Sequence, residues 1–124
     1  MKRFFHTTLT AGALLIVGTA SASAHTVLVS SNPTKGAAIS HLPAKITLTF
    51  ADPLLKIGSH AINKVVVTDP MNMVVTTGAD TVKGGVLTDP LTTSGATPGL
   101  YTVDYRVSAL DGHIVTGKFT FTLK

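Results

Sequence analysis

Two short segments carry the residue types that could do chemistry. The first is His25. It follows Ala22-Ser23-Ala24, a small-residue pattern of the kind that signal peptidases cut. Cleavage after Ala24 leaves His25 as a new N-terminus with two nitrogen donors on one residue, the α-amine and imidazole Nδ1. Both can bind one metal ion in a six-membered chelate ring. The amine has a reference pKa of about 7.7–8.0, so a metal can displace its proton near neutrality. The second segment is Asp111-Gly112-His113. Residues two apart on an extended chain point the same way, so this segment can present a carboxylate and an imidazole together. Gly112 allows a tight bend. Amine, imidazole and carboxylate donors suit Cu(II), which heads the affinity order for such ligands. Taken alone, each segment has a plainer account. His25 could be a frayed terminus, and Asp111-Gly112 an ordinary hairpin turn with a passing histidine.

The leader decides whether the first donor exists. Lys2 and Arg3 are followed by the apolar run 9–17 (LTAGALLIV) and then by TASASA. These are the three parts of a secretory signal peptide. The run is too short for a bilayer span, which needs about 20 apolar residues. Residues 1–24 are therefore read as a signal peptide and 25–124 as one mature, exported domain that is not embedded in the membrane. A second A-x-A pattern, Ala20-Ser21-Ala22, would leave Ser23-Ala24 ahead of His25 and remove the amine donor.

Composition narrows the function classes. Without Lys2 and Arg3 the net charge falls from +4 to +2. There is no basic run and no aromatic interleaving, which argues against nucleic acid. The chain has no cysteine, so thiolate metal sites, cysteine nucleophiles and disulfides are excluded.

The elements that must position the donors read as all-β. Segments 45–50 (KITLTF), 100–107 (LYTVDYRV) and 114–123 (IVTGKFTFTL) alternate apolar and polar residues, and 27–29, 62–68 and 73–77 are β-branched runs. Turn residues separate them, among them Asp52-Pro53, Asp69-Pro70, Gly84-Gly85 and Pro98-Gly99. About seven short strands predict a β-sandwich with Greek-key connections, immunoglobulin-like or cupredoxin-like. The stretch 78–98 reads as loops around one weak strand. Tyr101, Val103 and Tyr105 share a core face. Asp104 and Arg106 share the other face, where they are expected to pair.

Taken together, the motifs resemble the CopC family of periplasmic copper-binding proteins. The mature start, HTVLVSSNPTKGAAISHLPAKITLTF, matches that family at His25, Ser31, Pro33, Gly36, Pro43, Ile46, Leu48 and Phe50. The C-terminal half matches at Gly99, Tyr101, Val103, Tyr105, Arg106, Asp111, Gly112, His113, Gly117, Phe119 and Phe121, with small spacing differences before Asp111. The resemblance implies a Greek-key sandwich with a Cu(II) site at one end. His25 would give its amine and Nδ1, His113 a second imidazole, and Asp111 a carboxylate as ligand or as charge partner. It also implies a monomeric, non-enzymatic periplasmic protein of copper homeostasis, which sequesters copper or passes it to an inner-membrane partner of the CopD type.

Some family members carry a second, Cu(I) site in a methionine-rich loop with a histidine. Here only Met71 and Met73 remain, with His60 eleven residues before Met71, a thin basis for such a site. The plainer expectation is that Met73 packs in the core and Met71 lies in a turn. His41 sits in a loop and takes no role. Tyr105 stands where many members have Trp. Two other functions fit parts of the pattern. A terminal-histidine chelate is similar to the histidine brace of lytic polysaccharide monooxygenases, but the chain has no Trp and a nearby carboxylate would crowd the coordination sphere. A plain structural sandwich would make the histidines incidental.

Overall fold

The computed structural model describes residues 26–124 and holds eight strands in two four-stranded sheets. One sheet orders β1 (Leu28–Asn32), β3 (Lys45–Phe50), β6 (Val86–Pro90) and β5 (Thr81–Lys83). The other orders β2 (Ala38–Ile39), β8 (Ile114–Leu123), β7 (Gly99–Ser108) and β4 (Lys64–Thr68). All pairings are antiparallel except the short β2–β8 contact. Neighbours out of sequence order make the crossovers between sheets that the sandwich reading requires.

Alternation builds the core. Ile46, Leu48 and Phe50 of β3 and Leu87 of β6 pack against Val65 and Val67 of β4, Tyr101, Val103 and Val107 of β7, and Phe119 and Phe121 of β8. Tyr101 stacks on Phe121, its cross-strand partner, with ring centroids 5.2 Å apart. Its hydroxyl donates to the Thr97 carbonyl at 2.8 Å, which lets a fully buried phenol keep its hydrogen bond. Burial raises its pKa, with the charge of Asp69 adding to the effect and the Thr97 hydrogen bond opposing it.

Four expectations are corrected. The stretch 78–98 holds a β5–β6 hairpin rather than one weak strand. The run 73–77 forms no strand, only single bridges at Val74 and Thr76. The second arises at the edge of β4. There the side chains of Asp80 and Thr76 accept the Val65 and Val67 N–H groups at 3.0 and 3.3 Å, while the Val75 N–H donates to the Val67 carbonyl at 2.9 Å, so side chains take part of the edge where a strand was expected. Met73 accordingly lies outside the core, 63 % exposed. Asp104 pairs with Lys118 at 3.6 Å instead of with Arg106, because Lys118 is its cross-strand partner.

Tyr105 is half-buried. Its ring meets the edge of Phe50 at 5.4 Å and lies directly over its partner Gly117, where any Cβ would collide with it. Among the described residues, no helix is long and apolar enough to cross a membrane.

Candidate metal centre

The β7–β8 connection is the five-residue turn 109–113. Gly112 N–H donates to the Ala109 carbonyl and Ala109 N–H to the His113 carbonyl, both at 2.9 Å. Gly112 has φ +88°, a conformation that side-chain-bearing residues rarely adopt. Glycine therefore closes the turn and holds Asp111 and His113 on one side of it.

The two side chains meet. Oδ1 of Asp111 accepts the His113 backbone N–H at 3.0 Å, and Oδ2 lies 2.6 Å from His113 Nδ1. Both side chains are substantially exposed, 63 % for His113 and 36 % for Asp111, so the pair adds little to stability. Its effect is orientation. A carboxylate on Nδ1 is the arrangement that, in metalloproteins, orients an imidazole toward a metal through Nε2. The carboxylate also brings negative charge to within one ring of any cation bound there.

A rigid base lies under the turn. Buried Asn63 accepts the Ser108 N–H through Oδ1 at 2.9 Å and donates through Nδ2 to the Leu55 carbonyl at 2.7 Å. Leu55 N–H in turn donates to the Ser108 carbonyl, and Leu54 bridges Ala109. Segment 51–55 also holds the first described residues. Asp52 N–H donates to Thr26 Oγ1 at 3.2 Å, and Ala51 N–H to the Val27 carbonyl at 2.8 Å. Thr26 is buried. One segment thus ties the chain next to position 25 and the base of the 109–113 turn to the same end of the sandwich. Thr26 and Tyr105 line one shallow cavity of about 330 Å³ beside this end.

Of the expected donors, Asp111 and His113 are brought together, while His25 lies outside the described residues, as does the expected signal peptide. Among the described residues, no three His, Asp, Glu or Cys side chains gather around one point. Asn63 and Thr26 were missed by sequence reasoning. Neither follows a motif, and their roles appear only once segment 51–55 is folded between them.

Met71, Met73 and His60 are not brought together. His60 precedes β4 and the two methionines follow it. Lys64 of β4 sits opposite Arg106, near the end of β7 that leads into the 109–113 turn, whereas Pro70 packs against Gly99 at the other end. β7 runs ten residues, which spans roughly 30 Å. Met71 and Met73 are exposed in a turn where Asp69 Oδ1 accepts both of their N–H groups at 2.8 and 2.9 Å. His41 is exposed as well.

Comparison with known proteins supplies the context. A family model described as the CopC domain matches residues 28–124. Copper resistance protein C of Pseudomonas syringae pv. tomato is 37 % identical over 132 aligned positions, covering all of this chain and 98 % of that protein. The crystal structure of CopC from Methylosinus trichosporium OB3b superposes with a TM-score of 0.69 at 26 % identity, over 81 % of this chain and 94 % of that one. PcoC, a methionine-rich copper resistance protein from Escherichia coli, superposes with a TM-score of 0.61 at 27 % identity, over 81 % of this chain and 99 % of its own.

Proposed function

Because this chain belongs to the CopC family of copper resistance proteins, which are non-catalytic copper-binding proteins and typically periplasmic, we propose that its mature form binds one Cu(II) ion through His25, Asp111 and His113. The observation that carries this reading is the contact of Asp111 Oδ2 with His113 Nδ1. It gives the ring nitrogens separate tasks, Nδ1 to the carboxylate and Nε2 to the metal.

Cleavage after Ala24 would supply the remaining nitrogens, the His25 amine and its Nδ1. The anchoring of Thr26 to the segment beneath the turn supports this, because it holds the residue next to His25 at the end that carries His113. Asp111 offsets part of the copper charge and fixes the ring. Three nitrogens with a nearby carboxylate favour Cu(II) over Cu(I), which prefers soft thioethers. In this reading copper is cargo, and the protein sequesters it in the periplasm or hands it to an inner-membrane partner of the CopD type.

Competitive titration of the mature protein with Cu(II) against a chelator of known affinity tests the site. Tight one-to-one binding is expected, with an EPR spectrum of a nitrogen-rich type. Undiminished affinity in a His25→Ala variant, or in a form that retains Ser23-Ala24, would sink the terminal-chelate model.

A further inference from the structure

The outer face of the β2-β8-β7-β4 sheet carries a charge pattern that the copper site does not use. Lys64 of β4 lies directly opposite Arg106 of β7, which lies opposite Thr116 of β8. Like charges directly opposite one another on a sheet are destabilising. No carboxylate among the described residues forms an ion pair with either cation. The next row holds Val66, Asp104 and Lys118, where Asp104 is paired with Lys118. From the sheet edge, the half-buried Asp80 also acts on Lys64, and burial raises the Asp80 pKa. These rows surround a shallow depression of about 420 Å³, lined by Val66, Tyr105 and Gly117 between the charged side chains. Beyond the Lys64–Arg106 row the face continues to Ile114, 44 % exposed, and around the turn to Leu110, 60 % exposed. Both flank Asp111 and His113.

From this pattern we infer that the face is a docking surface for an extended acidic segment of a protein partner, with apolar residues interspersed, that approaches the copper-site turn. The occupant follows from complementarity. Carboxylates suit Lys64 and Arg106, and a guanidinium pairs with carboxylate in a two-pronged geometry. Rows two residues apart along a strand match the spacing of alternate side chains on an extended peptide. Apolar side chains of that peptide would cover Val66 and Ile114. An anionic membrane is the poorer fit. Three cations give only weak attraction to a lipid surface, and Asp104 stands among them. As a route for copper exchange, the surface rests on the site proposed above. As a peptide-binding face it does not.

The test uses the mature chain and an unstructured peptide of alternating Glu and Val, about ten residues long. Amide shifts on titration at low salt should concentrate at Val66, Arg106, Thr116 and Ile114. The double variant Lys64→Gln with Arg106→Gln should weaken binding about tenfold or more. Lys45→Gln with Lys83→Gln, on the other sheet, should leave it unchanged. Equal weakening by both pairs, shifts elsewhere on the molecule, no binding at low salt, or binding to phosphatidylglycerol vesicles in place of the peptide would each overturn the proposal. Amide spectra of each variant confirm the fold, and Cu(II) titration of the same proteins separates the two claims. Copper binding without peptide binding removes only the docking face. Peptide binding without copper binding removes only the metal site.

Discussion

The two ends of the sandwich carry the same local device with different results. At one end Asp69 accepts the backbone N–H groups of Met71 and Met73 through a single oxygen, Oδ1. At the other Asp111 accepts the N–H of His113 through Oδ1 and meets its ring through Oδ2. In both, a carboxylate closes a turn two residues ahead of itself. What differs is the residue placed there. A thioether takes nothing from the carboxylate and points into solvent. An imidazole is oriented by it, as a metal ligand would need to be. A turn becomes a candidate metal site when the group that stabilises its backbone also orients a ligand.

The largest effect that would break this comparison is on copper affinity. His113→Ala removes a donor, so chelator competition should show a fall in Cu(II) affinity beyond the 10–100-fold range typical of supporting residues, or about 100-fold and more. If instead Met71→Leu with Met73→Leu abolished Cu(II) binding, the ends would have been assigned the wrong way round. Asp111→Asn should cost less than His113→Ala. The amide can still cap the His113 N–H but loses the charge, and a drop of about 10–100-fold is expected from the same titration. A fall as large as that of His113→Ala would identify Asp111 as a direct ligand rather than the partner of the ring.

Much of this was legible in advance, and the failures have physical causes. Period-two alternation located β3, β7 and β8, the three strands that carry most of the core, and the Asp-Gly pair located the turn. The β5–β6 hairpin was hidden because Asp89 breaks the apolar pattern of β6. Asp89 is fully buried, yet it accepts the Thr77 N–H and hydroxyl and the Gly78 N–H at 2.9–3.0 Å. Sequence patterning reads an inward carboxylate as a loop. Met73–Thr77 failed in the opposite sense, since a β-branched run is no strand when side chains have already taken the neighbouring edge. The Asp111–His113 pair was legible as two residues on one side of a turn. Which oxygen meets which nitrogen was not, because that depends on rotamers.

Smaller effects sharpen the contrast at the methionine end. Asp69→Ala should lower the unfolding free energy by about 1–2 kcal/mol, for loss of two backbone hydrogen bonds, and leave Cu(II) affinity unchanged. Denaturant melts and copper titration of one protein read both. Tyr101→Phe should cost about 1 kcal/mol at neutral pH. It should also alter the alkaline limb of the stability profile. Because the folded-state pKa of Tyr101 is raised, its contribution is complete below the ordinary tyrosine value near 10 and is lost as pH rises through the folded value. Wild-type stability should therefore fall above about pH 10, and the variant should fall less steeply.

The side chains that finish the edge of β4 also protect the protein from itself. Lys64–Thr68 reads KVVVT, the kind of short, β-branched, nearly uncharged segment that stacks into fibrils when its backbone is open. Asp80 and Thr76 occupy the two valine N–H groups that an incoming strand would need, and a half-buried acid on an edge repels a second copy of itself. A chain without cysteine cannot use a disulfide to keep that edge closed. The segment that follows the strand thus guards it, with an aspartate and a threonine on two of its N–H groups and the Val75 N–H on its Val67 carbonyl.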